Sequence, residues 1–216
     1  MLRADAVSAG YRHGPHVVTN VSLRIPRNTT VGLLGPSGSG KSTLARVLAL
    51  LHTPTSGVVS VDGAAVRRWR YRAPRSLRTR IGIVFQQPRT AVDPRLRLRD
   101  VIAEPLRATG RRGEVPLRVT ELARLTGITD ELLSRRAHEL SDGQLQRACL
   151  ARALAAEPAY LICDEMTGML DAATTAALVQ VVQQYRRRTA AGVLAISHDT
   201  NLLEHWCDHT ETLLSP

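Results

Sequence analysis

The sequence has few aromatic residues, few cysteines and no long apolar run. Phe, Trp and Tyr make up 3% of its 216 residues whereas 44% are hydrophobic, so we predict an aliphatic core of the kind found in α/β sheets. Three scattered cysteines, an odd number, argue against a disulfide framework and favour reduced thiols in a cytosolic protein. No segment is long enough to cross a membrane, and residues 1–5 lack a signal-peptide pattern. The length suits one domain.

Lysine is almost absent: among the 29 basic residues Lys41 is the single lysine, and the others are arginine. It lies in Gly-Pro-Ser-Gly-Ser-Gly-Lys-Ser-Thr at 35–43, which matches the pattern G-x-x-x-x-G-K-[ST] of loops that bind nucleotide phosphates. The glycines let several N–H groups point at one anion, and a compact ammonium fits such a nest better than a planar guanidinium. The predicted phosphate-binding residues are Gly35, Pro36, Ser37, Gly38, Ser39, Gly40, Lys41, Ser42 and Thr43.

The excess of arginine gives a net charge of +10 and is densest over residues 67–80, where Trp69 and Tyr71 interrupt the run. Aromatic residues among arginines suit stacking on single-stranded bases. A solvated basic face, or a face near lipid headgroups, is the alternative. The nucleotide motif favours the latter two, and we expect no nucleic-acid partner.

The order of elements predicts an α/β fold of the P-loop NTPase class. The apolar strand Thr30–Leu34 leads into the glycine loop, and a helix is predicted over 42–51. Between about 88 and 140 prolines punctuate amphipathic helices, which indicates a helical insertion between sheet strands. Further strands are predicted at 17–25, 58–61, 80–85, 160–164 and 193–196, and a further helix at 172–188.

Polar residues follow three of these strands, where open α/β sheets bind ligands. Asp164 and Glu165 end one strand; the first carboxylate can hold Mg²⁺ and the second can polarise an attacking water. Gln86 follows another strand and can contact both metal and water, and His198 follows the last and can reach a terminal phosphate. The predicted magnesium ligands are Ser42, Gln86 and Asp164.

One further segment, Leu-Ser-Asp-Gly-Gln at 140–144, opens a helix with Ser141 as a predicted N-cap. With the glycine loop, Gln86, 160–165 and His198, it resembles in order and spacing the ATP-binding subunits of ABC transporters, over nearly the whole chain. The resemblance implies a mixed-sheet core at 1–87 and 158–216 and a helical subdomain at about 88–157. It also implies the following site residues: catalytic Glu165, His198 and Gln86; Tyr11 on the adenine; Asp171 in the D-loop; and Ser141, Asp142, Gly143 and Gln144 facing a partner's ATP.

Three segments make the resemblance more specific. Residues 83–88, 92–95 and 102–106 look like the second ATPase subunit of dipeptide, oligopeptide and nickel importers. It implies ATP hydrolysis with Mg²⁺, at the cytoplasmic face of the membrane, to drive uptake. The implied partners are a second ATPase subunit, two permeases and an extracellular substrate-binding protein. Alternatives are an exporter or lipid-handling ATPase, a weakly hydrolysing regulatory subunit, and a non-transport ABC protein that acts on nucleic acid.

Three departures from the family pattern concern the dimer-facing loops and the end of the chain. Asp142 replaces a glycine, and its carboxylate is expected to weaken nucleotide-driven closure unless it turns away. Met166 replaces a proline and Gly168–Met169 replaces Ser-Ala, so one of two composite sites is expected to be slow. The chain ends soon after His198.

A metal site within 205–209 is an alternative that the predicted helix there disfavours.

Overall fold

The computed structural model describes residues 1–11, 16–168 and 170–213. The strands are β1 (Leu2–Gly10), β2 (His16–Ile25), β3 (Thr30–Leu34), β4 (Ser56–Val61), β5 (Ala64–Ala65), β6 (Ile81–Val84), β7 (Tyr160–Asp164), β8 (Gly192–Ile196) and β9 (His209–Thr212). The helices are α1 (Lys41–Leu48), α2 (Arg75–Arg78), α3 (Pro88–Ala91), α4 (Leu98–Ala108), α5 (Val115–Leu125), α6 (Asp130–Ser134), α7 (Asp142–Ala155), α8 (Ala172–Thr189) and α9 (Thr200–Trp206). None of these helices combines the length and apolarity of a membrane span.

The mixed-sheet core takes the form of two sheets. One is antiparallel, in the order β2-β1-β4-β5, and a tight turn at Asp62–Gly63 joins β4 to β5 with positive φ at both residues. The other is parallel, in the order β6-β7-β8-β3-β9. Strand β1, in the middle of the first sheet, was not expected, because its small residues and the bulge at Ala6 (φ 50°) obscure an alternating pattern.

Helix α1 packs between the two sheets. Its buried Leu44, Val47 and Leu48 share one apolar cluster with side chains of β1, β4, β7 and β8. Burial of each such side chain stabilises the fold by about 1.5–3 kcal/mol. The helix ends at Leu48, short of the predicted position 51, because Leu50 adopts a left-handed backbone (φ 62°) that no α-helix continues.

The segment between β6 and β7 contains helices and 3₁₀ turns, together with one isolated bridge between Arg97 and Arg136. Helix α7 is its centre, since both faces of α7 are buried and α4 and α5 pack against it. These helices share a second apolar cluster with α8, α9 and the other face of the parallel sheet. The helical segment is therefore packed onto the sheet rather than held on a separate core.

The parallel sheet brings the predicted polar residues to one edge. Strands β3, β6, β7 and β8 run in the same direction, so their carboxyl ends meet. The glycine loop follows β3, Gln86 follows β6, Glu165 follows β7 and His198 follows β8. Sheet topology thus assembles residues that lie far apart in the sequence.

Candidate functional site

Glycine is required at both ends of the loop that joins β3 to α1. A β-carbon on Gly35 would lie 2.5 Å from the carbonyl oxygen of Leu213, and one on Gly40 would lie 2.5 Å from that of Val17. Gly40 also has φ 94°, a conformation that other residues rarely adopt. At the tip, a β-carbon on Gly38 would meet no described atom within 4 Å. The loop is packed tightly at its base and is open where a phosphate would approach.

Lys41 is buried at 4% exposure beneath this loop. Its ammonium donates hydrogen bonds to the carbonyl oxygens of Gly35 (2.7 Å) and Pro36 (2.9 Å) and lies 3.7 Å from Glu165 Oε1. The buried hydroxyl of Ser39 has no hydrogen-bond partner among the described residues. A buried polar group without a partner is costly, so this hydroxyl fits a ligand that accepts or donates at the loop. The loop therefore combines a fixed positive charge with a free hydroxyl.

Ser42 and Asp164 form a pair of hard oxygen donors at the start of α1. The Ser42 hydroxyl donates to Asp164 Oδ1 at 3.0 Å. Burial raises the pKa of the Asp164 carboxyl above its usual value, although the Ser42 hydrogen bond and the charges of Arg46 and Lys41 oppose this shift. A hydroxyl beside a buried carboxylate suits a small divalent cation, which would relieve the cost of the buried charge.

Three predicted residues meet at the carboxylate of a fourth, Glu165, and we call Lys41, Gln86, Glu165 and His198 the Glu165 cluster. Gln86 Nε2 donates to Glu165 Oε2 at 3.1 Å, and His198 Nδ1 lies 3.6 Å from the same oxygen. Glu165 has a left-handed backbone (φ 47°), and its amide donates to the Ile196 carbonyl oxygen at 3.0 Å. Non-glycine residues in this conformation concentrate at functional sites. Glu165 is the geometric centre of the candidate site.

Tyr11 lies beside the glycine loop and half exposed. Its hydroxyl is 3.5 Å from Thr43 Oγ1 and accepts a hydrogen bond from Arg46 at 3.0 Å. Its ring lies 5.4 Å from the His52 ring, tilted by 54°. The tyrosine is thus held at the loop, and adenine stacking on it stays a prediction.

The signature segment, defined here as Leu140–Gln144, lies apart from the Glu165 cluster. Ser141 caps α7 as predicted: its hydroxyl accepts from the Gln144 amide at 3.2 Å, and Gln144 Oε1 accepts from the Ser141 amide at 3.0 Å. A cavity of about 320 Å³ opens beside it, and no described residue of the Glu165 cluster lines this cavity. The lining residues are Leu132, Ser141, Gly143, Gln144, Arg147, Leu170, Asp171 and Thr174. Within one chain the segment faces outward.

Asp171, predicted for the D-loop, caps α8 beside this cavity. Its carboxylate accepts hydrogen bonds from the amide of Thr174 at 2.9 Å and from its hydroxyl at 2.7 Å, which lower the pKa of Asp171. Of the unusual residues before it, Met166 is buried, Gly168 is exposed, and Met169 lies outside the described residues. The altered loop thus lies between the buried Met166 and the capping residue Asp171.

Asp142 is paired with a residue that the sequence did not single out. Arg89 of α3 approaches it with Nε at 2.6 Å from Oδ1, and Nη2 of the same guanidinium donates to the Leu140 carbonyl oxygen at 2.8 Å. Both charged side chains are about half exposed. Arg89 thus places a positive charge directly beside this carboxylate, and the expected weakening of nucleotide-driven closure by Asp142 stays a prediction.

Comparison with known proteins decides the family. The profile of the ABC transporter family matches residues 18–168, more than half of the chain. The chain belongs to the ABC transporter family.

This ABC cassette is 36% identical over 217 residues to the nickel import ATP-binding protein NikE of Escherichia coli K12, and the match covers 96% of the chain and 81% of the relative. NikE of Shigella boydii matches equally well. Among solved structures, the dimeric bacterial ABC transporter cassette MJ0796 superposes with a TM-score of 0.87 at 28% identity, covering 99% of this chain and 94% of the other. The post-hydrolysis state of MJ0796 bound to ADP and Pi gives 0.88 at 28%, with the same coverage. The predicted family, fold class and ABC-type ATPase activity are confirmed.

Two residues that connect α7 of the ABC cassette to the region of Gln86 were not identified from the sequence. One is Arg89, whose only signal is its position three residues after Gln86. The other is Gln146, which is 1% exposed and donates to the carbonyl oxygens of Phe85 (3.0 Å) and Met166 (2.9 Å). A glutamine on the buried face of α7 is a signal that was available. Through it, α7 is bonded to the residues next to Gln86 and Glu165.

Two other sequence alternatives concern the segments 205–209 and 67–80. Among the described residues no group of three or more His, Cys, Asp or Glu side chains is placed to hold a metal ion. Within 205–209, Asp208 instead pairs with Arg186 and accepts from the Thr30 amide at 2.7 Å. The arginines of 67–78 are exposed, Tyr71 is 76% exposed, and Trp69 packs against the core. The basic run is therefore exposed, with Trp69 as its one inward aromatic residue, and the choice between its alternatives stays a prediction.

Proposed function

We propose that this chain hydrolyses ATP, with Mg²⁺, to energise uptake of nickel or peptides through partner permeases. The observation that carries the proposal is the Glu165 cluster, in which a cation, an amide and an imidazole surround one carboxylate next to a phosphate loop. Phosphoryl transfer to water depends mainly on positioning and charge, and this cluster supplies both.

Each residue of the cluster has a distinct proposed role. Lys41 neutralises phosphate charge, held in place by the two loop carbonyl groups. Glu165 accepts a proton as water attacks the terminal phosphorus and the bond to the bridging oxygen of ADP breaks. Gln86 orients the Glu165 carboxylate, and His198, 62% exposed, contacts the terminal phosphate. Ser141 and Gly143 serve the nucleotide of a second ATPase subunit.

Ser42, Asp164 and Gln86 are the residues that would hold Mg²⁺. When bound, the ion supplies positive charge to the phosphate oxygens. The hard oxygen donors of Ser42 and Asp164, 3.0 Å apart, fit this ion, and the raised pKa of Asp164 is the cost that a cation offsets.

Uptake is proposed from the nickel import proteins that this chain resembles over 96% of its length. The partners are then a second ATPase subunit, two permeases and an extracellular substrate-binding protein, and the chain works at the cytoplasmic face of the membrane. A groove of about 290 Å³ beside Phe85 suits permease docking, because residues of both the helical segment and the sheet line it. Arg75, Arg78 and Arg152 are among these lining residues.

We also propose residues 1–87 and 158–216 as the core and about 88–157 as the helical subdomain.

The central test is Glu165→Gln, which keeps the shape of the side chain and removes the proton acceptor. We expect ATP binding to persist while turnover falls at least about 100-fold, as for loss of a general base. Glu204→Gln, the same change at an exposed position of α9, is the control and leaves turnover unchanged. Undiminished turnover in Glu165→Gln shows that the base lies elsewhere.

Transport is tested separately, with the chain assembled with its permeases and receptor in vesicles. We expect ATP-dependent accumulation of nickel or of peptides, abolished by Glu165→Gln. ATP-driven movement in the opposite direction establishes the exporter alternative instead.

A further inference from the structure

The acidic residue of the signature segment has a dedicated counter-ion. Asp142 occupies the first position of α7, where Ser141 and Gly143 present the helix amino terminus. A carboxylate there stabilises its own helix by interaction with the helix dipole, yet it repels an incoming phosphate. Arg89 approaches Asp142 to 2.6 Å and so removes the net negative charge from this position.

Arg89 is held in an orientation that suits this task. One side of its guanidinium donates to the Leu140 carbonyl oxygen at 2.8 Å while Nε faces Asp142. A planar guanidinium makes two such contacts at fixed geometry, which lysine cannot reproduce. Arg89 therefore grips both the residue before Ser141 and the residue after it.

The helix that carries Arg89 begins two residues after Gln86. Gln86 is bonded to Glu165, and Gln146 on α7 is bonded to the carbonyl oxygens of Phe85 and Met166. The signature helix is thus fastened to the Gln86 region at two points, one exposed at Arg89 and one buried at Gln146.

We propose that Arg89 is a positioning residue that makes the acidic signature segment able to accept a nucleotide phosphate from the second ATPase subunit. The inference rests on the proposed function, because it assigns Ser141 and Gly143 to that nucleotide. It predicts that most of the effect of Arg89 on dimerisation disappears when Asp142 is uncharged.

The test is a double-mutant cycle at these two positions in the Glu165→Gln background, which keeps ATP intact. ATP-dependent dimerisation is measured by sedimentation, with two copies of the chain or with its second ATPase subunit. We expect Arg89→Gln to raise the dissociation constant of the dimer about tenfold for each composite site that carries the substitution. Arg89→Lys should raise it less. Adding Asp142→Asn to Arg89→Gln restores dimerisation to within about threefold. Arg95→Gln, at an exposed arginine of the same segment, is the matched control.

Salt separates a charge effect from a structural one. The Arg89→Gln defect shrinks as the NaCl concentration is raised to about 0.5 M, because screening weakens repulsion between Asp142 and phosphate. If Arg89→Gln causes the same loss with and without Asp142→Asn, or a loss independent of salt, the proposed role of Arg89 is overturned. ATP binding to the isolated parent chain is measured before any dimer. If the parent chain binds no ATP, the proposed function is contradicted, and not the role of Arg89.

Discussion

The Glu165 cluster and the signature segment differ in how much of a site one chain supplies. The cluster is buried or half-buried at its centre, and three side chains from three different elements converge on one carboxylate. The signature segment satisfies its own backbone through the Ser141–Gln144 capping box and points its remaining surface outward. The first brings its residues together within one chain, whereas the second presents an outward surface on which the proposed function places the nucleotide of another chain.

This difference follows from what holds each region. The cluster depends on backbone topology, since parallel strands deliver its residues to one edge. The signature depends on local side-chain pairs, the cap at Ser141 and the ion pair between Arg89 and Asp142. Substitutions in the two regions should therefore separate nucleotide binding from stability and assembly.

The largest expected effect breaks the cluster at Lys41. Lys41→Ala removes a buried charge that two carbonyl groups hold, so we expect ATP affinity to fall about 100-fold, or about 2.7 kcal/mol, in a fluorescent-nucleotide titration. Lys41→Arg keeps the charge, but a planar fork differs in shape from the compact ammonium that the two carbonyl groups accept at this buried position, so we expect that it does not restore binding. If Lys41→Ala keeps the parent's affinity for ATP, the assignment of residues 35–43 as the phosphate-binding loop is wrong.

A smaller effect is expected at Asp164, where removal of the charge should stabilise the nucleotide-free fold. The folded-state pKa of this carboxyl is raised above 3.8, so ionisation destabilises the fold once the pH exceeds that value. Asp164→Asn should therefore raise the Tm of the nucleotide-free protein at pH 7, and the gain should vanish as the pH falls toward about 4. The same variant should lose the Mg²⁺ dependence of ATP binding. Asp130→Asn, at an exposed carboxylate, is the control; a lower Tm at pH 7 for Asp164→Asn contradicts the sign.

The cluster was the more predictable of the two regions. Its residues follow strands whose apolar runs are visible in the sequence, and the parallel arrangement fixes their proximity once the fold class is known. Strand β1 escaped prediction because Ala6 interrupts its alternation, and α1 was overextended because nothing local marks Leu50 as left-handed. In both cases tertiary packing decided what local pattern did not.

The partner of Asp142 was beyond sequence reasoning. A chain whose basic residues are nearly all arginine offers many candidate counter-ions, and only the packing of α3 against α7 selects Arg89. The buried bonds of Gln146 depend on the same packing. Motif spacing identifies residues that face a ligand, but it does not identify residues that hold those residues in place.

The smallest expected effect tests the signature segment at Ser141. Ser141→Ala removes the side-chain acceptor for the Gln144 amide, and loss of an N-cap costs about 1 kcal/mol of unfolding free energy, or about 2–4 °C in Tm for a chain of this size. ATP binding to the isolated chain should be unchanged, because the Glu165 cluster makes no contact with this cap. Ser141→Thr keeps the hydroxyl and should restore most of the loss. Weaker ATP binding by isolated Ser141→Ala would join the two regions into one site within a single chain and so contradict the separation between them.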